Sequence, residues 1–436
     1  MTRILVTTVP ITGHVRPALP VVRELVRSGH EVVWYTGAKF APLVTDVGAQ
    51  YAPMRAGWDY DDADLDSMQT DRKGGRQRLG WALLNVFVKP IPGYAADIDE
   101  LIDAYDPEVV VADLGFPAGI LAAERRGIPS VAYTISPLGV SSVDTAPFGL
   151  GLPPSSSPLG RLRNRSLNWA VQKVVFADSQ RAAEQIRAGM GLPPLPGYFM
   201  DWGPMIADRY VHASIPELEY PRSDLPPGLE FVGAMLPDGV DGWTAPAWWA
   251  DLAAARAAGR PVVLVTQGTI ATDPANLLLP SIRALAGKEV LVVATTGGAE
   301  PSSVLPTDSR PANLRLERFI PFGELLPAVD VMVTNGGFGG VQAALSRGVP
   351  LVVAGTTEDK TEVNARVAWS GTGVSLRTDT PTADQIAAAV DRVLTDPSYR
   401  SHATTLSASY ARHRGAPRAA ELILDVATTH TPVPTP

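Results

Sequence analysis

Short β-branched runs alternate with stretches of helical periodicity from Arg3 to Tyr133. This is the rhythm of βαβ units around a parallel sheet buried on both faces. Strands are predicted at Arg3–Thr8, Glu31–Tyr35, Val109–Asp113 and Ser130–Tyr133. Between the first two, Leu19, Val22 and Val26 recur at helical spacing from Arg16 to Arg27, with Pro17 suited to a first turn and Ser28-Gly29 as the stop. The pattern restarts after Arg260, with strands predicted at Pro261–Thr266, Glu289–Ala294, Val329–Thr334 and Pro350–Ala354. Proline and acidic residues crowd Ile215–Gly228, as in an exposed linker. The expected fold is therefore α/β, with two Rossmann-like, doubly wound parallel-sheet domains. Their expected bounds are 1–220 and 230–400, with a linker at 221–229 and a helical tail at 401–436 packing back on the first domain.

Composition narrows the function. A net charge of −8 supplies no global positive field for nucleic acid or anionic lipid, so an anionic ligand must be held locally. With 0 cysteines the chain has no disulfides, thiol nucleophile or Cys-ligated zinc, which fits a cytoplasmic protein. No uninterrupted apolar run reaches membrane-spanning length, and the broken apolar start at Met1–Val6 predicts no signal peptide. Two segments depart from the strand-helix rhythm: 55–95, which is acidic and aromatic, and 136–160, which is rich in Pro, Ser and Gly. Such insertions on α/β scaffolds are either binding loops or variable surface. The acidic run Asp61-Asp62-Ala63-Asp64-Leu65-Asp66 is expected to be a solvated loop rather than a metal site, and no paired histidine spacing offers one either.

Asn335-Gly336-Gly337-Phe338-Gly339-Gly340 follows a predicted strand and precedes a helix expected at Val341–Arg347. Amides at a helix N-terminus are unpaired and carry partial positive charge, so they can receive a phosphate without a lysine. No Gly-Lys-Ser/Thr follows, and Gln342 stands where a dinucleotide fingerprint needs glycine. Taken alone, the turn is equally a tight connection with no ligand. The next strand leads into Gly355-Thr356-Thr357-Glu358-Asp359-Lys360, where Asp359 can accept hydrogen bonds from vicinal sugar hydroxyls with Lys360 balancing charge. Alone, that loop is a solvated charged turn.

Together these residues resemble the nucleotide-sugar-dependent GT-B glycosyltransferases, notably the bacterial natural-product (macrolide-type) group. Phe319-Ile320-Pro321-Phe322, Asn335–Gly340, Gly348-Val349-Pro350 and Asp359-Lys360 stand in the order of that family's donor-site motifs. The resemblance implies that the two domains face one another across a cleft. It implies that Phe319 and the Ile320 backbone hold the base. Asn335 with Gly336, Gly337, Gly339 and Gly340 would hold the pyrophosphate, and Asp359 with Lys360 the sugar. Gln267-Gly268-Thr269 would add phosphate contacts. Asn335 replaces the family's histidine, Gly340 its hydroxyl residue, Lys360 its glutamine, and Ala343 the glutamate that binds ribose hydroxyls. The donor base is thus open between UDP-glucose-like and dTDP-sugars.

His14 lies in Gly13-His14-Val15-Arg16-Pro17, matching the family's acceptor-activating histidine, and Asp113 ends a strand where the family has its partner aspartate. An acceptor hydroxyl is a poor nucleophile that a base titrating near the working pH can deprotonate, and a carboxylate on the far ring nitrogen fixes that base's tautomer. The resemblance implies an inverting, metal-independent transfer from a nucleotide sugar to a hydroxyl, with no cofactor beyond that co-substrate. Trp58, Trp81, Phe87 and Phe148 suit a hydrophobic small-molecule acceptor, although the same aromatics can be plain core. A nucleotide-sugar epimerase and a non-catalytic nucleotide-sugar-binding accessory protein are the alternatives. Intact His14 and Asp113 argue against the second.

Overall fold

The computed structural model describes residues 1–64, 80–237, 239, 242–268 and 273–429. Two all-parallel sheets organise the chain. The first contains β1 (Arg3–Thr7), β2 (Glu31–Thr36), β3 (Gln50–Pro53), β4 (Val109–Asp113), β5 (Ser130–Thr134), β6 (Arg209–His212) and β7 (Leu229–Phe231), in the spatial order β3-β2-β1-β4-β5-β6-β7. The second contains β8 (Val262–Thr266), β9 (Leu291–Thr295), β10 (Leu314–Glu317), β11 (Val331–Thr334), β12 (Leu351–Val353) and β13 (Gly373–Ser375), ordered β10-β9-β8-β11-β12-β13. The order in which successive strands are added reverses between β1 and β4 in one sheet and between β8 and β11 in the other. Ligands of open α/β sheets bind outside the carboxyl ends of the strands at such a point.

Four helices position the site: α1 (Thr12–Arg27), α2 (Phe338–Ser346), α3 (Lys360–Trp369) and α4 (Ala416–Thr429). The strands that were expected are present within a residue or two at each end, because their β-branched runs are buried on both faces. The expected helix starts shift. α1 begins at Thr12 rather than Arg16, which places His14 in its first turn, and Pro17 lies inside the helix. α2 begins at Phe338 rather than Val341, so Gly339 and Gly340 belong to its first turn.

The domain crossings also fall later than expected. β7 pairs with β6 through Tyr210↔Leu229, so the first sheet extends through the segment expected as linker. The helix Pro397–Tyr410 stays on the second lobe, burying Ala403, Leu406 and Tyr410 there. α4 does return, placing Ala419, Ala420, Leu422, Ile423 and Val426 in one apolar cluster with Val15, Val22 and Leu25 of α1. The two crossings are joined where the Gly415 N–H donates to the Val232 carbonyl at 2.7 Å. Residues 430–436 lie outside the described residues.

The returning helix is thus part of the first lobe's core. Ile423→Ala is expected to destabilise the protein by about 2–5 kcal/mol, because a fully buried branched side chain leaves a cavity. Chemical denaturation monitored by tryptophan fluorescence checks this, and an unchanged midpoint would place α4 outside the folded core.

Candidate functional site

The first half of the site is built at the β1/β4 reversal. Ile11 at the N-cap of α1 offers no capping side chain. The Asp62 carboxylate takes that role, accepting the Thr12 N–H at 2.7 Å while it pairs with Lys39 Nζ. A carboxylate there satisfies an orphan amide and complements the positive helix end. Asp62 is buried, so the acidic run is not simply a solvated loop; Leu65 and Asp66 lie outside the described residues.

His14 projects from this first turn, and its Nδ1 lies 2.6 Å from Asp113 Oδ2. Asp113, buried at the end of β4, also accepts the Gly115 N–H at 3.2 Å through Oδ1. Burial disfavours the imidazolium. The charge and hydrogen bond of Asp113, with the charges of Asp359 and Asp62 beyond it, outweigh that cost and raise His14 above the ordinary 6.5. The Asp359 contribution matters structurally, because Asp359 belongs to the second lobe and acts on a first-lobe imidazole.

The second half lies at the β8/β11 reversal. Asn335 leaves β11 buried, and its Nδ2 donates to the Gln267 carbonyl beyond β8, tying the two loops together. Gly336 has φ of 90°, and a Cβ there would fall on Asn364 Oδ1, so only glycine fits. α2 then starts with Gly337 as N-cap. Phe338 anchors this start in the core, its ring stacked on His212 with centroids 6.4 Å apart. A Cβ at Gly339 would meet nothing within 4 Å, so packing does not demand this glycine and a ligand can approach its amide closely.

The other donor candidates separate by accessibility. Phe319 is 56% exposed, whereas the Ile320 side chain is in the core and leaves only its backbone to a ligand. Asp359 is the N-cap of α3, yet its carboxylate makes no capping bond to its own helix. Burial pushes its pKa up to about 6, against the opposing pull of His14 and then Arg366. Lys360 Nζ turns to its own loop, pairing with Glu358 and donating to Thr357 Oγ1 at 3.3 Å. The Gln267 side chain is engaged internally, accepting the Leu278 N–H at 3.1 Å and donating to the Asp273 carbonyl. Gln342 accepts from Tyr410 Oη at 3.2 Å and is buried, and Ala343 is buried beside it. Thr269 lies outside the described residues.

Trp58, Trp81 and Phe87 are half-buried against the apolar cluster that contains Tyr94 and Phe116. Trp58 also packs on Tyr60 with centroids 4.6 Å apart. The turn before Trp58 is fixed by Asp97, which accepts the N–H groups of Arg55, Ala56 and Gly57 at 2.8, 2.8 and 2.9 Å. Phe148 is half-buried with its ring against Gly139. Sequence reasoning missed Asp62, Asp97 and a buried cluster of Glu219, Glu362 and Arg366. Only Asp97 had a local signal, a carboxylate on the buried face of the helix Ile91–Tyr105.

Comparison with known proteins bears on the family and the fold. The family described as erythromycin biosynthesis protein CIII-like, C-terminal domain, matches residues 287–427, and the glycosyl transferase 4-like domain matches residues 12–196. The chain is 44% identical over 423 residues to 4'-demethylrebeccamycin synthase of Lentzea aerocolonigenes, covering 97% of this chain and 98% of the relative. It is 34% identical to UDP-glycosyltransferase 2 of Phaeomoniella chlamydospora, over 93% of this chain and 92% of the relative. Among solved structures, the calicheamicin glycosyltransferase CalG4 superposes with a TM-score of 0.77 at 22% identity, covering 99% of this chain and 100% of that one. Spinosyn rhamnosyltransferase SpnG complexed with thymidine diphosphate superposes with a TM-score of 0.68 at 21% identity, covering 96% and 99%. With its two parallel-sheet lobes and this likeness along nearly its whole length, the chain belongs to the GT-B glycosyltransferases of natural-product biosynthesis.

Proposed function

We propose that the protein is an inverting, metal-independent transferase, working in the cytoplasm, that moves a sugar from a nucleoside diphosphate to a hydroxyl of an apolar small molecule. The observation that carries this reading is the His14–Asp113 pair on one lobe, facing the electrostatic influence of Asp359 on the other. Asp113 engages Nδ1, which leaves the Nε2 lone pair for an acceptor hydroxyl. His14 removes the proton as the hydroxyl oxygen attacks the anomeric carbon, and Asp113 stabilises the imidazolium that forms. The bond from the anomeric carbon to the diphosphate breaks on the opposite face, so configuration inverts. The leaving diphosphate is received by the amides of the first turn of α2, in place of a metal cation. Phe319 offers its exposed ring to the base beside the Ile320 backbone, and Asp359 accepts sugar hydroxyls. Relatives named for UDP and a neighbour solved with thymidine diphosphate support a nucleoside diphosphate as the carrier.

General base catalysis contributes about 10²–10⁴ in rate, so His14→Ala should lower kcat by that order while nucleotide affinity, read by calorimetry, stays unchanged. Near-normal turnover in that variant would remove His14 from the chemistry. Activity should persist in EDTA, and a loss restored by magnesium or manganese would contradict the metal-independent route.

The base must be neutral to act. kcat/KM should therefore rise with pH through a midpoint above 6.5, and Asp113→Asn should move that midpoint down. Because folding raises the His14 pKa, the protonated pair stabilises the fold fully below 6.5, and this contribution is lost as pH climbs through the raised folded value. Activity and that stabilisation therefore change in opposite directions over the same interval. Below about 6 Asp359 also takes up a proton, so the acid limb should steepen there, and Asp359→Asn should abolish the steepening. A profile falling toward higher pH would contradict the assignment.

A further inference from the structure

The 138–151 segment leaves the carboxyl end of β5, beside the strand that ends at Asp113, and is fastened to both lobes. Around Ser142–Asp144 it is held on the first lobe's own chain. Asp224 accepts the Ser142 hydroxyl at 2.6 Å and the Val143 N–H at 2.9 Å, and Asp144 accepts the Ser223 N–H at 2.7 Å. Its tip is held by the second lobe. The Gly149 and Gly151 N–H groups both donate to Glu362 Oε1, each at 2.8 Å. Glu362 Oε2 receives Arg366 Nη1 at 2.9 Å, and Arg366 Nε reaches Glu219 Oε2 at 2.8 Å, all within a buried cluster. Arg366 Nη2 and Arg222 Nη2 further donate to the Leu138 carbonyl at 3.2 and 2.7 Å. Glu362 lies one helical turn from Asp359, and Gly149 adjoins Phe148.

We propose that Glu362 is a positioning residue for the acceptor: by gripping the Gly149 and Gly151 amides it holds the Phe148 tip against the helix that begins beside the sugar-binding Asp359. This rests on the proposed transferase reading. α3 then moves as one piece with the acceptor loop, and the donor-side carboxylate stays in register with a loop that leaves the sheet next to the Asp113 strand. The two Glu362 oxygens have separate tasks: Oε1 holds the loop and Oε2 holds Arg366.

The two tasks are separable by substitution. Glu362→Gln keeps an oxygen at the same reach for both amides, and Glu362→Asp keeps the charge but withdraws it by one methylene. The acceptor KM should rise about tenfold in Glu362→Asp and Glu362→Ala, and within about threefold in Glu362→Gln, with the UDP or dTDP dissociation constant within about threefold in all three. Hydrogen exchange of the Gly149 and Gly151 amides should accelerate about tenfold in Glu362→Asp and stay near wild type in Glu362→Gln, a readout that needs no turnover. If Glu362→Ala does not fold, the Asp and Gln variants carry the comparison. Greater acceptor defects in Gln than in Asp, or parallel losses for donor and acceptor, would overturn the proposal. A wild-type protein that transfers no sugar yet shows the predicted exchange pattern would overturn only the transferase reading.

Discussion

The short hydrogen bond between His14 Nδ1 and the buried Asp113 carboxylate is the interaction on which the rest of the site depends. It joins the first turn of α1 to the end of β4 across the point where strand order reverses, and it fixes which ring nitrogen can meet a substrate. Each supporting feature keeps that geometry. Asp62 caps the helix that carries the imidazole, Asp113 is held in turn by the Gly115 amide, and α4 returns from the second lobe to pack beneath α1.

The second lobe repeats the same architecture with different chemistry. At its own reversal the loops after β8 and β11 are stitched by Asn335 and Gln267, and the helix end they present is glycine-rich, with Phe338 alone turned inward. On the proposed reading the first lobe supplies a base and the second supplies fixed amide dipoles. Charge connects the two, because Asp359 on the other lobe helps to raise the pKa of His14.

Much of this was legible in the sequence because parallel strands buried on both faces are continuous apolar runs, and because His14, Asp113 and the 335–340 turn each follow such a run. Helix starts were harder to place. The start of α1 is set by a carboxylate 50 positions away, at Asp62, and no local pattern around Thr12 announces it. Lys360 was expected to balance Asp359 but pairs with Glu358, which stands two residues away with φ of 48°. Glu219, Glu362 and Arg366 were invisible for a related reason, since a charged residue in a proline-rich segment or on a helix reads as solvated until a partner from elsewhere in the chain buries it.

The most direct measurement is a crystal structure with a nucleoside diphosphate and an acceptor bound together. The distal phosphate should lie within hydrogen-bond reach of the Phe338–Gly340 amides, with the reacting hydroxyl about 2.6–3.2 Å from His14 Nε2. A diphosphate seated away from that helix end, or a hydroxyl turned from the imidazole, would contradict it.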